Sequence, residues 1–283
     1  MSALPLAHAL LGLSLLLIFS PWSRLWSPTL LAALAVGLWQ GQLAPLALLP
    51  LALMAALVAA LSLRDGPPLV RGLLLSLGLA LAVALALHLL PGFHNPSYMV
   101  QLSDALPAQR KYLNFDKGAA GLLLVALLRA AALAPDRQAR PRMDQLLLIA
   151  ALTLALPWGL AVAAGLGSPA LRWPEHAALF LLSNLLFTCV AEEALFRGLI
   201  QTLLQARIRP AGSAWGSHLA PLAAALLFGL AHAGGGAAYV GLATLAGWGY
   251  GLVYQRSGRL EAAILLHFAL NALVFLTLDL RLG

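Results

Sequence analysis

Long apolar runs alternate with short polar segments along the whole chain. A helix needs about 20 apolar residues to cross a bilayer, and most of the runs approach this length. The predicted fold is therefore all-α, a polytopic integral membrane helical bundle with about 8–10 transmembrane helices. The candidate spans lie near residues 4–20, 28–41, 44–63, 69–90, 118–134, 144–166, 176–204, 219–232, 237–255 and 260–280.

The composition supports a membrane protein. Hydrophobic residues make up 61% of the 283 residues and charged residues 10%, whereas a soluble domain carries about 25% charged residues. The net charge is +7, but the basic residues lie in short loops between apolar runs, so no nucleic-acid partner is expected. The expected partner is the lipid bilayer, and the expected location is a bacterial inner (plasma) membrane that the chain crosses several times.

The polar positions divide the chain into two predicted regions. Residues 1–143 form an N-terminal transmembrane region of about five spans, with an extramembrane loop near residues 91–117 that is either an ordered connector or an interfacial lid. Residues 144–283 form the predicted catalytic transmembrane core. Cys189 is the only cysteine, which excludes an intrachain disulfide and a cysteine-based metal site.

Three polar motifs fall inside the last third of the chain, each on its own predicted span. They are Glu-Glu-x-x-x-Arg at residues 192–197, Phe-x-x-x-His at residues 228–232 and His-x-x-x-Asn at residues 267–271. A charged side chain at mid-bilayer costs about 2.5–3.5 kcal/mol. Such side chains must be buried within a protein bundle, and ionisable residues inside a membrane are functional candidates by default.

Helix geometry suggests a division of roles within the motifs. Glu193 and Arg197 are four residues apart and share a helix face, so they are predicted to pair. Glu192 is rotated by about 100° from Glu193, which leaves it free to react. His267 and Asn271 are also four residues apart, so both can project into one cavity.

Glycines mark two further features of the last spans. The glycines at residues 234–236 follow His232 and are predicted to allow a sharp break in the helix. Three more, Gly247, Gly249 and Gly251, are spaced along one span and are predicted to allow close helix packing.

The combination of these side chains suits hydrolysis. Glu192 is the candidate general base that takes a proton from water, and His232 is a candidate to orient that water. His267 and Asn271 are candidates to donate hydrogen bonds to the oxyanion of a tetrahedral intermediate. Glu192, His232 and His267 are also a plausible zinc set, but the chain lacks a His-Glu-x-x-His helix, so a metal-free site is favoured and zinc is the alternative.

The three motifs, in this order on separate spans, resemble those of the CPBP family of intramembrane proteases. That family includes the CAAX prenyl endopeptidase of the eukaryotic endoplasmic reticulum and bacterial Abi-type proteins. The resemblance covers roughly residues 177–275 and implies an intramembrane peptide hydrolase of the glutamic or the metallo type. It implies that Glu192 is the general base and that His232 helps to activate water. It also implies that His267 and Asn271 stabilise the oxyanion and that Glu193 and Arg197 form a structural pair.

The resulting hypothesis is a CAAX-endopeptidase-like intramembrane endopeptidase. Its expected substrate is a membrane-anchored or prenylated protein or peptide. One alternative is a catalytically idle membrane protein that acts in immunity or as a scaffold. Another is a proton-coupled transporter, although the internal repeats common in transporters are not evident in this chain.

Overall fold

A computed structural model describes residues 4–63, 66–101, 108–133, 142–208 and 216–280 of the protein. Within these ranges the chain is mainly helical, as the apolar runs predict. The described ranges contain ten helices: α1 Leu6–Ile18, α2 Trp26–Trp39, α3 Leu48–Ser62, α4 Pro68–Ala86, α5 Phe115–Ala130, α6 Met143–Ala163, α7 Ala177–Arg207, α8 Gly216–Leu230, α9 Gly236–Ser257 and α10 Leu260–Thr277.

Five of the described helices are long and apolar enough to cross a membrane. They are α3 with the short turn before it, α4, α6, α7 and α10. The bent pair α8 and α9 makes a sixth if it counts as one span. The protein is thus an all-α, multi-pass integral membrane protein.

Among the described residues, several of the other apolar runs form helices shorter than a full span. Helix α1 has 13 residues, which at 1.5 Å per residue extend about 20 Å. The hydrocarbon core of a bilayer is about 30 Å thick. Helices α2 and α5, with 14 and 16 residues, are also shorter than a full span.

Two small antiparallel sheets accompany the helices. Strand β1 (Ser97–Val100) pairs with β2 (Gln109–Tyr112), and β3 (Gly167–Pro169) pairs with β4 (Leu278–Leu280). The first sheet lies in the polar loop predicted near residues 91–117, of which residues 102–107 are outside the described ranges. A paired sheet within this loop was not predicted from the sequence.

The chain divides into two compact units that interleave along the sequence. The first contains α1 to α5, β1, β2 and the beginning of α7; the second contains α6, the rest of α7, α8 to α10, β3 and β4. The boundary predicted between residues 143 and 144 stays a prediction. The first unit comprises Met1–Val100, Ala108–Leu133 and His176–Leu195, and the second Gln101–Pro107, Ala134–Glu175 and Phe196–Gly283.

Helix α5 is the central helix of the first unit, and nearly all its residues are buried. It lies very close to α7 because two of its residues have no side chain. A Cβ atom on Gly121 would be 2.8 Å from the Cα atom of Ala191, and one on Gly118 would be 2.7 Å from the Phe187 ring. These glycines therefore bring the start of α5 beside the segment of α7 that carries Glu192.

Helix α7 is not a uniform α-helix. It is π-helical over Asn184–Cys189 and Ala194–Gln201, with a single α-helical turn, Val190–Glu193, between these segments. π-Helical turns are rare and occur often at functional sites. The geometry of 100° per residue assumed in the sequence analysis therefore does not hold along all of this helix.

The glycines of the second unit act as the sequence predicted. Helices α8 and α9 meet at a bend of 57°, and Gly236 at the start of α9 has a φ angle of 84°, which favours a residue without a Cβ atom. A Cβ atom on Gly247 would be 3.0 Å from the Phe228 ring, and one on Gly251 would be 2.7 Å from the side chain of Gln201. Close packing at α9 is therefore confirmed.

Candidate active site

Glu192 forms an ion pair within the first unit. The Nζ atom of Lys117, in the first turn of α5, donates a hydrogen bond of 2.7 Å to Oε1 of Glu192. Both side chains are mostly buried, with 16% and 15% of their surfaces exposed. The expectation that Glu192 would be left free is therefore wrong, because tertiary packing brings a cation from a distant part of the chain to it.

A polar network fixes the start of α5, where Lys117 lies. The Asp116 carboxylate is 2.7 Å from Nδ1 of His88 and accepts a hydrogen bond of 3.0 Å from the side-chain amide of Asn95. The Asn95 carbonyl oxygen in turn accepts a hydrogen bond from the backbone N–H of Phe115. These contacts hold the first turn of α5 and so position Lys117.

Arg197 is completely buried in the second unit. Its Nη2 atom donates a hydrogen bond of 2.8 Å to the carbonyl oxygen of Gly247. Its Cζ atom is 4.6 Å from the ring centre of Phe228 and 5.2 Å from that of Tyr250, within the range of cation–π attraction. Glu193 is also completely buried, and its predicted pairing with Arg197 stays a prediction.

The two candidate histidines of the second unit are arranged around one aromatic ring. The ring of Phe228 is 4.6 Å from that of His232 and 5.5 Å from that of His267. His267 is buried and stacks on Tyr250 at 4.7 Å with an interplanar angle of 15°. The structure therefore brings the second and third motifs together. Asn271 is half-buried, one turn after His267 on α10.

The hydrogen bond of His232 assigns a role to each of its ring nitrogens. Nδ1 is 2.8 Å from the carbonyl oxygen of Phe228. A carbonyl can only accept a hydrogen bond, so Nδ1 carries the hydrogen and Nε2 of the neutral ring is an acceptor. The ring of His232 is half-buried. Its Nε2 atom is therefore suited to accept a hydrogen bond from water or to bind a metal ion.

Two contributors to the candidate site were not singled out by the sequence analysis. Lys117 was assigned to a loop, and 75 residues separate it from Glu192, so no local spacing connects the two. Tyr250 stacks on His267 from α9, and its position in a glycine-rich helix gave no sign of this contact. Phe228 was visible only as the first residue of its motif.

A zinc site is the alternative to the metal-free site. Among the described residues of either unit, no group of three or more His, Cys, Asp or Glu side chains is placed to hold a metal ion. Glu192 belongs to the first unit, and His232 and His267 belong to the second. The zinc set formed by these three residues stays a prediction.

The fold defines a multi-pass membrane protein, and each of its two units contains buried ionisable side chains. Residues 174–273 match the family model described as Type II CAAX prenyl endopeptidase Rce1-like. All three motifs lie inside these residues, so the resemblance inferred from the motifs is confirmed over this segment. No curated protein and no solved structure matched the chain.

Proposed function

We propose that the protein is an intramembrane endopeptidase that hydrolyses a peptide bond of a membrane-associated or lipid-modified protein. One observation carries this proposal. All four proposed catalytic residues fall inside the segment, residues 174–273, that is similar to CAAX prenyl endopeptidases. The four residues are Glu192, His232, His267 and Asn271. The proposed location of the protein is the inner membrane of a bacterium.

In the proposed reaction, Glu192 takes a proton from water, and the resulting hydroxide oxygen bonds to the carbonyl carbon of the substrate. His232 orients the water through Nε2. General-base assistance of this kind is worth about 10²–10⁴-fold in rate. Glu192 then passes the proton to the leaving nitrogen as the C–N bond breaks, so that protons and charge balance.

The oxyanion of the tetrahedral intermediate is the proposed partner of His267 and Asn271. Each side chain can donate a hydrogen bond, and one well-placed donor is worth about 10²–10³-fold in rate. The stacking of His267 on Tyr250 supports this role because it fixes the plane of the imidazole ring. A donor that is already oriented needs no reorganisation during the reaction.

Lys117 is the proposed positioning residue for Glu192. Its ammonium group is 2.7 Å from the carboxylate and lies on a helix whose first turn is held by the Asp116 network. A charge-assisted hydrogen bond of this kind orients a carboxylate more strongly than a neutral one. Lys117 lies outside the matched residues 174–273, so this support comes from the N-terminal part of the chain.

The proposed site is metal-free, as in a glutamic protease. In the metallo alternative, Glu192, His232 and His267 would hold zinc, which supplies Lewis-acid activation of water. Activity that persists after exhaustive EDTA treatment supports the glutamic type. Activity that is lost with EDTA and restored by zinc supports the metallo type.

The proposal is tested by comparing cells that express the wild type or Glu192→Gln at equal, folded levels. New peptide termini in membranes and medium are then identified by mass spectrometry. Termini that require Glu192 establish the protease and identify its substrate. Glu175→Gln is the matched control, because Glu175 is an exposed glutamate inside the matched segment and outside the motifs.

The same comparison can contradict the proposal. If both strains yield the same termini under several growth conditions, the protein is not an endopeptidase, and the scaffold and transporter alternatives remain. Proton flux linked to a solute in liposomes then identifies a transporter.

A further inference from the structure

Four arginines lie at one end of the second unit. The Arg256 guanidinium at the end of α9 donates a hydrogen bond of 3.2 Å to the side-chain oxygen of Gln145 at the start of α6. The hydroxyl groups of Thr202 on α7 and Tyr254 on α9 are 2.9 Å apart. The start of α6 and the ends of α7 and α9 therefore meet at this end, where α10 also starts. The four residues are Arg142, Arg207, Arg256 and Arg259.

The opposite end of the second unit has a single basic residue. Nε1 of Trp158 in α6 donates a hydrogen bond of 2.9 Å to the hydroxyl group of Thr277 at the end of α10. Arg172 lies at this end, where it pairs with Asp279 and donates a hydrogen bond of 2.6 Å to the carbonyl oxygen of Leu278. No other lysine or arginine among the described residues of this unit is at this end.

This asymmetry orients α7 in the membrane. Lysine and arginine are enriched in the short loops on the cytoplasmic side, whereas acidic residues contribute little to orientation. Four arginines against one therefore place the Arg207 end in the cytoplasm. Helix α7 is one candidate span from Ala177 to Arg207, so it starts on the outer face, which is the membrane face away from the cytoplasm.

The first unit, taken by itself, has a smaller asymmetry of the same kind. Nη2 of Arg71 at the start of α4 donates a hydrogen bond of 3.0 Å to the carbonyl oxygen of Ala131 after α5. Cζ of Arg129 is 5.8 Å from the ring centre of Phe19 after α1, and Arg24 lies in the turn that follows. The other end has the two basic residues of the β1–β2 hairpin, besides Lys117 inside the protein. The start of α5 is therefore also at the outer face.

The β1–β2 hairpin marks the outer boundary of the hydrocarbon along α7. Every second residue of each strand is exposed, and exposed sheet edges do not occur in hydrocarbon. The hairpin therefore lies outside the hydrocarbon. It contacts α7 as far as Ser183, whose hydroxyl group is 3.3 Å from that of Tyr98.

The length of α7 then gives the depth of Glu192. Ser183 precedes Glu192 by nine residues, and Arg207 follows it by fifteen, which at 1.5 Å per residue correspond to about 13 Å and about 22 Å. The hydrocarbon core is about 30 Å thick. Glu192 is therefore no more than about 13 Å below the outer boundary, and about 17 Å or more from the inner one.

The polar network beside Lys117 agrees with a position near the outer surface. His88, which contacts the Asp116 carboxylate, has 44% of its side-chain surface exposed. Polar groups of this kind are costly in lipid and are found where water reaches them. Water therefore has access to the start of α5, where Lys117 meets Glu192.

From this placement we infer that Glu192 is reached from the outer face of the membrane. We further infer that the bond it cleaves belongs to the exported part of a membrane-anchored protein, at the outer end of the anchor. This second part rests on the proposed function. A bond in a cytoplasmic tail would have to enter about 17 Å of hydrocarbon to reach the carboxylate, whereas one at the outer end of an anchor already lies near its depth.

The test of access labels single cysteines with a membrane-impermeant maleimide. The background is Cys189→Ser, which removes the only cysteine. Met99→Cys on β1 and Met143→Cys at the start of α6 are a matched pair, with 47% and 64% of the native side chains exposed. We expect Met99→Cys to react in right-side-out vesicles and to lose its labelling in inverted ones, and Met143→Cys to show the reverse.

A third position examines the path to Glu192. Thr188 is half-buried and lies one turn before Glu192 on α7. Thr188→Cys should react with a small impermeant methanethiosulfonate in right-side-out vesicles only. Labelling in detergent shows that each cysteine is reactive in folded protein, and Tyr112→Cys on β2, where 49% of the native side chain is exposed, replaces Met99→Cys if that variant does not fold.

The outcomes separate the orientation from the proposed function. Labelling of Met99→Cys only in inverted vesicles, or equally in both kinds, overturns the inference. Labelling as expected, without new termini that require Glu192, retains outer access and overturns the endopeptidase. New termini that require Glu192 and fall in cytoplasmic segments retain the endopeptidase and overturn outer access, whereas termini in exported segments support both.

Discussion

The two units stabilise their buried charges in different ways. In the first unit, Glu192 meets the ammonium group of Lys117 from another helix. In the second, the guanidinium group of Arg197 is bound to the Gly247 carbonyl and lies against two aromatic rings. The first arrangement joins two side chains, whereas the second holds a cation against backbone and rings. This difference agrees with the proposed roles, a reactive charge at Glu192 and a structural one at Arg197.

The largest effect is expected when the structural charge is removed. Arg197→Met should lower the free energy of unfolding by about 2–4 kcal/mol, because it removes a charged hydrogen bond and desolvated cation–π contacts. The measurement is the fraction of folded protein during SDS titration in mixed micelles. Arg24→Met, at an exposed position, is the control and should match the wild type. Equal stability of Arg197→Met would contradict a structural role for this residue.

Removal of the charge beside the proposed general base should instead affect catalysis. Lys117→Met should lower kcat by about tenfold to a hundredfold, since a charge-assisted hydrogen bond is worth about 1.5–3 kcal/mol. The substrate for this assay is the one identified from the new termini. Lys117→Arg keeps the charge and should restore most of the rate. A wild-type rate in Lys117→Met would show that the ion pair does not position Glu192.

The close contact of α5 and α7 offers a steric test of the first unit. Gly121→Ala should destabilise the protein by about 1–3 kcal/mol, because the added methyl group would meet the backbone of Ala191. Gly159→Ala is the matched control, since a Cβ atom there has nothing within 4 Å and alanine favours the helix. If both variants show the same unfolding midpoint, the contact of α5 with α7 at Gly121 is not tight enough to exclude a methyl group.

The smallest effect is expected from the ring beside His267. Tyr250→Leu removes the stacked ring, and aromatic pairs contribute about 0.5–1.5 kcal/mol, so kcat should fall by about two- to tenfold. Tyr254→Leu removes another buried ring on the same helix, one whose hydroxyl group contacts Thr202, and serves as the control. Equal values of kcat for the two variants would mean that stacking does not orient His267.

Some features of the fold were predictable because they depend on neighbours in the sequence. The apolar runs predicted ten helices, and the glycines at residues 234–236 predicted the break between α8 and α9. Hydropathy located the apolar helices but did not give their final lengths. The π-helical segments of α7 also escaped prediction, because periodicity was interpreted with a single helical repeat.

The features of the candidate site also fall into those that local sequence predicts and those that it does not. Local spacing identified three motifs, on α7, at the end of α8 and on α10, and the matched residues 174–273 contain all of them. The partner of Glu192 could not be identified from spacing, because Lys117 is 75 residues away and in an unremarkable polar loop.

The sequence by itself determined that this is a helical membrane protein, and it located the ionisable residues that such a protein must bury. Both conclusions follow from the cost of placing polar groups in hydrocarbon, which acts on every segment separately. Only the tertiary structure decided which groups meet: Glu192 with Lys117, and His267 with Tyr250. Those contacts depend on how closely helices approach, and glycines such as Gly121 set that approach.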